Sequence, residues 1–112
     1  MQGLNKVTLI GNLGKDPETR ELEGKIKVAK FSLATSESYR DEKGEKHTAT
    51  EWHNIVLWRG LAEMAEKYLK KGSSIYLEGK LKTRSFEDKN GDKRYVTEVI
   101  AENVIMLDKP NL

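Results

Sequence analysis

Cysteine is absent from this 112-residue chain, so no disulfide staples it and any structural zinc would have to do without thiolates. A cysteine-free composition fits a reducing cytosol. No apolar run approaches the roughly 20 residues a membrane-spanning helix needs. The leading stretch MQGLNKVTLIGNLG is also too short for the apolar part of a secretory signal. These absences point to a soluble, cytoplasmic chain with no membrane partner. Aromatic residues are scarce at 7%, and the chain contains no repeat, low-complexity tract or linker. At 12.8 kDa it has room for one hydrophobic core, and we expect a single domain over residues 1–112.

What is present reads as five strands and one helix. KVTLIGN (6–12) forms the first strand, followed by a loop, DPETRELEGK, with a Pro turn and room for a short strand. IKVAKFSLATSESY alternates Ala29, Phe31, Leu33 and Thr35 against Lys30, Ser32 and Ala34, which is the period of a strand. RDEKGEKHTA is a polar hairpin loop, and TEWHNIVLW is the third strand. In GLAEMAEKYLKKGS, the residues Leu61, Met64, Ala65, Tyr68 and Leu69 share one face of an amphipathic helix, with Gly72 placed to cap it. SSIYLEGKLKTRSF and RYVTEVIAENVIML are the last two strands, joined through Asn90-Gly91, a strong hairpin signal. The order predicts an all-β fold with one helix, a small five-stranded antiparallel Greek-key barrel. An OB-fold has this order, with its helix between strands 3 and 4.

Both tryptophans lie in TEWHNIVLWRG, residues 50–60. On a strand, Trp52, Asn54, Val56 and Trp58 share one face and His53, Ile55 and Leu57 the other. The second face is the better core, so the indoles are expected to point outward. The fourth strand repeats the division: Ile75, Leu77, Gly79, Leu81 and Thr83 resemble core, while Tyr76, Glu78, Lys80, Lys82, Arg84 and Phe86 interleave cations with rings. The net charge of +2 is unevenly spread: residues 67–94 carry nine Lys or Arg against four acids. Single-stranded nucleic acid offers phosphates to cations and unpaired bases to flat rings, so such a face makes a stacking platform. The same rings would equally serve to pack a second subunit or to seal the barrel ends.

The strings NKVTLIGNLGKDPE, TSESYRD, TEWHNIVLWRGLAE, KYLKKGS, YLEGKLKTRSF and RYVTEV, in this order from about Asn5 to Leu107, closely resemble the bacterial single-stranded DNA-binding proteins. The resemblance implies an OB-fold that assembles into homotetramers and binds single-stranded DNA without sequence preference. It also implies a role in replication, recombination and repair, in the cytoplasm with the nucleoid, and no catalysis. Carried over position by position, base stacking is expected at Tyr39, Trp52, Trp58 and Phe86. Backbone contacts are expected at Lys6, Arg20, Arg59, Lys71, Lys82, Arg84, Lys93 and Arg94. His53 corresponds to a residue at subunit contacts. The family continues into a flexible linker and an acidic tail that docks other proteins, whereas this sequence stops at MLDKPNL. Replication and repair proteins are therefore expected as partners only where the full-length protein has such a tail.

Two rival readings use the same residues. An OB module could bind RNA or a protein as an accessory of the replication machinery, because RNA bases stack on the same rings. An OB nuclease would need convergent carboxylates around a divalent metal, whereas Glu63, Glu66, Asp88 and Asp92 are scattered over helix and loops. GNLGKDP lacks the spacing and the Ser/Thr of a phosphate loop, and His47 sits in a polar loop without thiolates. The sequence thus calls for no metal and no cofactor.

Overall fold

The computed structural model describes residues 2–108; residues 1 and 109–112, which include the end of MLDKPNL, lie outside the described residues. Six strands and one α-helix follow in the order β1 (Val7–Leu13), β2 (Glu18–Leu22), β3 (Ile26–Arg40), β4 (Lys46–Trp58), α1 (Gly60–Tyr68), β5 (Ser74–Glu87) and β6 (Lys93–Met106). The sheet order is β1-β5-β6-β4-β3-β2, and a further pairing of β1 with β3 closes five of the strands into a barrel. β2 lies outside that closure, antiparallel to β3 from Glu18↔Lys30 to Leu22↔Ile26. It is the short strand allowed for in the first loop, so the described residues form six strands although the barrel has five.

The expected wholly antiparallel barrel is modified at one seam. β4 and β6 run parallel where Ile55 faces Val99 and Val56 faces Ile100. The reason is connectivity: between β4 and β6 the chain passes through α1 and β5, and a parallel neighbour requires such a crossover.

Period-2 alternation places Ala29, Phe31 and Leu33 of β3, Ile55 and Leu57 of β4, and Ile75 and Leu77 of β5 inside the barrel. Leu33, Ile55, Leu57, Ile75 and Leu77 are the largest fully buried side chains, and burial of this kind stabilises by about 1.5–3 kcal/mol per side chain. Leu81 and Thr83 continue the inner face in sequence but are exposed, because the pairing of β5 with β1 ends at Gly79 and β5 continues with β6 as its only strand neighbour among the described residues.

The helix is shorter than the sequence suggests; of its expected inner face Leu61, Met64, Ala65 and Leu69 do pack on the core, and Tyr68 does not. It ends at Tyr68, with Leu69 already extended and its N–H bonded to the Ala65 carbonyl. Gly72 therefore does not cap the helix. It has a positive φ of 90° in the following turn and donates its N–H to the Leu13 carbonyl. Ala62 and Ala65 are fully buried, while Tyr68 points to solvent. Small side chains let the helix backbone approach the end of the barrel, a fit that a ring at Tyr68 could not make.

Beyond the barrel β3–β4 and β5–β6 project as two hairpin arms, each closed by the same loop. In Asp41–Glu45 the Asp41 Oδ1 accepts the N–H groups of Lys43 and Glu45 at 2.9 Å each. In Asp88–Asp92 the Asp88 Oδ1 accepts those of Asn90 and Asp92 at 2.9 and 3.0 Å. Gly44 and Gly91 occupy matching places at φ 80°, the left-handed region open to glycine. The loops hold five residues rather than the two of an Asn-Gly turn, and β4 begins earlier than expected, at Lys46.

Candidate nucleic-acid interface

The β3–β4 register runs without a break from Val28↔Trp58 to Arg40↔Lys46. It sets Val28 beside Trp58, Lys30 beside Val56, Ser32 beside Asn54 and Ala34 beside Trp52, all on the outer face. Trp52 is 59% exposed and Trp58 is 41% exposed, so both indoles do point outward. Each is held by its surroundings rather than loose in water. A methyl group on Gly14 would lie 2.5 Å from the Trp52 ring, so the absence of a side chain at Gly14 is what lets the indole lie there. The second glycine of GNLGKDP therefore has a packing role that the discarded phosphate-loop reading did not supply.

Trp58 forms a wall of a cleft of about 590 Å³ across the outer faces of β2 to β6. Its apolar lining is Leu22, Val28, Val56 and Ile100, and its cations are Arg20, Lys30, Lys80, Lys82 and Arg84. Val28 and Val56 are buried although they face outward, which makes an apolar floor between charged walls. That combination suits a base and its phosphate together. Glu18 and Glu98 are the two acids of the lining.

The expected backbone cations divide into groups. Arg20, Lys82 and Arg84 meet in this cleft. Arg84 is already engaged there: its Nε donates to Glu98 Oε1 at 2.9 Å and its Nη2 to Oε2 at 3.3 Å. This pairing raises the Arg84 pKa above its ordinary value through the hydrogen bond and the charge of Glu98. Lys93 and Arg94 lie at the base of the β5–β6 loop, Lys93 over the Tyr95 ring at 5.6 Å and Arg94 bonded to Asp88 Oδ2 at 2.8 Å. Arg59 sits exposed at the start of α1, and the Lys71 N–H is bound by Asp16 at 2.8 Å. Lys6 is not brought to the cleft. It pairs with Glu78 at 3.1 Å on the outer side of β1 and β5, where the hydrogen bond and charge of Glu78 raise its pKa.

The rings divide by face. Phe86 follows Lys80, Lys82 and Arg84 on the outer face of β5, with the Arg84 guanidinium 5.8 Å from its ring centre. Tyr39 falls on the opposite face of its arm from Trp52, in line with Phe31 and Leu33, and stacks on His47 at 5.4 Å between centroids. The structure thus groups Trp52, Trp58 and Phe86 on outer faces and sets Tyr39 apart. Sequence reasoning missed Tyr95, which is 68% exposed and pairs with Ser85 on the inner-facing side of the second arm. Its signal was the Tyr95, Thr97, Val99 alternation within RYVTEV. Lys30 and Lys80 were also left out of the expected contacts, although both alternate with core residues.

His53 is half-buried on the inner face opposite Leu33, and its Nε2 lies 2.9 Å from the Thr35 hydroxyl. His47 Nε2 lies 2.7 Å from Asp41 Oδ2, and Asp41, Glu45 and His47 bring their ligand-type atoms within 4.8 Å of one another. The Asp41 carboxylate is already engaged by His47 and by the Lys43 and Glu45 N–H groups. The hydrogen bond from His47, followed by the Glu45 N–H, holds the Asp41 pKa below the usual carboxylate value. In the other arm Arg94, followed by the Asp92 N–H, does the same for Asp88. Of the carboxylates considered for a nuclease site, Glu66 is bound by Lys27 at 2.6 Å and Thr19 at 2.7 Å, while Asp88 closes its loop.

Known proteins resemble this chain in sequence and in fold. Single-stranded DNA-binding protein 1 of Chlorobaculum tepidum is 51% identical over 107 residues, covering 95% of this chain and 66% of that protein. This chain therefore spans slightly less than two thirds of that relative. Among solved structures, a Plasmodium falciparum SSB in complex with ssDNA superposes with a TM-score of 0.86 at 38% identity, covering 96% of this chain and 98% of the other. A deletion mutant of the single-stranded DNA-binding protein from Thermus aquaticus gives a TM-score of 0.81 at 34% identity, over 95% of this chain and 51% of that one. Both support the OB-fold read from the strand order. Residues 4–107 match the model of the Single-strand binding protein family, and with the barrel and outward-facing tryptophans described above, the chain belongs to that family.

Proposed function

We propose that this chain binds single-stranded DNA without sequence preference, as a non-catalytic cytoplasmic protein serving replication, recombination and repair. The observation that carries this reading is the pair of outward indoles, one of them walling a cleft lined by cations. Bases stack on Trp52, Trp58 and Phe86, with Tyr39 contributing from the other face of its arm. Phosphates are met by Arg20 and Lys82 in the cleft and by Arg59, Lys71, Lys93 and Arg94 outside it. Stacking needs no particular base, because every base has a π-face. No described helix is long and apolar enough to cross a membrane.

The functional unit in this proposal is a homotetramer. Ile10, Tyr76 and Ile105 are cross-strand neighbours on the outside of β1, β5 and β6, and Ile10 and Ile105 are exposed. Such a patch is costly to leave in water and suits a second copy of the chain. His53 is assigned to a subunit contact in the same assembly. Replication and repair proteins are partners in this reading only where the full-length protein has a C-terminal tail.

Fluorescence polarisation with labelled oligo(dT), oligo(U) and duplex DNA tests the proposal. Tight binding of oligo(dT) that excess duplex does not compete away is the expected result. Preference for duplex would overturn it, and preference for oligo(U) would move the protein to the RNA-binding reading. Light scattering tests the tetramer.

A further inference from the structure

We infer that Glu98 sets the charge balance of the cleft: it holds Arg84 back from phosphate, so that Arg84 supports the Phe86 ring while Lys82 meets the strand. The inference rests on the single-stranded DNA reading above. Glu98 is only 8% exposed, yet it lies on the outer side of β6, in the lining of a cleft that otherwise gathers cations. A carboxylate there repels a passing phosphate, and a buried charge persists only when paired. Arg84 supplies the pairing with two hydrogen bonds, and the Lys30 Nζ stands 3.8 Å from the same carboxylate.

Planar, two-point recognition of this kind is what an arginine would otherwise offer a phosphate. Using Nε and Nη2 on Glu98 takes up one edge of the fork. Turning it to a phosphate would leave Glu98 buried with only the more distant lysine. Meanwhile the guanidinium carbon is 5.8 Å from the Phe86 centroid, within cation–π range, so fixing Arg84 also fixes that ring. Lys82 is the residue directly across from Glu98 in the β5–β6 register. Among the described residues it makes no ion pair, so it can turn its ammonium to the strand. Arg84 is on this account a positioning residue, and Glu98 limits how strongly the cleft attracts a polyanion.

The test is oligo(dT) affinity over a salt series for the wild type, Lys82→Gln, Arg84→Gln and Glu98→Gln. Each phosphate contact on a single strand contributes about 0.7 to the slope of log K against log salt. Lys82→Gln should lower the slope by about 0.7. Arg84→Gln should leave the slope unchanged while weakening binding by a similar factor at every salt concentration. Glu98→Gln should bind more tightly and steepen the slope by about 0.7, as the freed Arg84 reaches a phosphate. The inference is overturned if Arg84→Gln flattens the slope as Lys82→Gln does, or if a normally melting Glu98→Gln binds no more tightly than wild type. Should Glu98→Gln fail to fold, the contrast between the Lys82 and Arg84 variants decides alone. Wild-type protein that ignores oligo(dT) at micromolar concentration overturns the underlying function too, which separates that failure from failure of the inference alone.

Discussion

The two hairpin arms end in the same loop yet present their rings differently. DEKGEKH (41–47) and DKNGDKR (88–94) share an aspartate that binds two N–H groups, a glycine at φ 80°, and a side chain six residues on that returns to the aspartate. Tyr39 and Phe86 both stand two residues before that aspartate, facing His47 and Arg94. Strand parity separates them. Tyr39 is in phase with the buried Phe31 and Leu33, whereas Phe86 is in phase with the outward Lys82 and Arg84. Each arm consequently carries one ring on each face: Trp52 and Tyr39 on the first, Phe86 and Tyr95 on the second. Charge differs as well. Residues 35–51 hold three cations and five acids, residues 80–98 six cations and four acids, so the second arm is the more attractive to phosphate. Side-chain direction counts here as much as residue type, since a one-residue change in phase turns a ring from one face to the other.

The largest effect on binding is expected at the cleft both arms adjoin. Trp58→Ala should weaken oligo(dT) binding by about 1–3 kcal/mol, roughly 5- to 150-fold, with a cooperative melt retained because the ring is partly exposed. Titration alongside thermal denaturation checks both halves. Next comes the direct comparison of the arms. Phe86→Ala should lie within that same range, about 1–3 kcal/mol, and Tyr39→Ala at or below its lower end, because Tyr39 is turned away from Trp52 and stacks on His47. Equal losses would mean that parity and arm charge do not decide the contribution. Gly14→Ala should cost several-fold in affinity and shift the tryptophan emission by displacing the Trp52 indole, with little change in melting temperature; unchanged emission would show that Trp52 does not depend on Gly14.

The smallest effect is the response of the loops to acid. Asp41 and Asp88 have pKa values below the usual carboxylate value, so their contribution is present above the pKa of unfolded aspartate. It is lost as pH falls through their folded values. Both loops should therefore fray in acid, visible as faster amide exchange at Lys43 and Glu45 and at Asn90 and Asp92. Unchanged exchange at these four amides between neutral and acid pH would remove this role of the two aspartates.

Much of this was legible in the sequence for a simple reason: period-2 alternation reports directly on burial. It placed Phe31, Leu33, Ile55, Leu57, Ile75 and Leu77 inside and both tryptophans outside. It misjudged Leu81 because alternation does not say where a strand leaves its barrel. On the helix, periodicity placed Leu61, Met64, Ala65 and Leu69 correctly and erred at Tyr68, because it cannot weigh Ala62 against Tyr68 when close approach favours the smaller side chain. The pairing of Arg84 with Glu98 was invisible for another reason. It joins residues on neighbouring strands, and sequence spacing does not give the register that brings them together. Tyr39 and Tyr95 differ from that case, since their facing follows from the parity of an unbroken strand, which the alternation carries.

The central claim, that Trp52 and Trp58 face outward to meet bases, is tested most directly by a tryptophan-fluorescence titration with oligo(dT), using wild type and the single-tryptophan variants Trp52→Phe and Trp58→Phe. Strong quenching in all three, surviving an excess of duplex, is the predicted result. Absence of quenching and of binding at micromolar protein would contradict it and assign both indoles to contacts between protein chains.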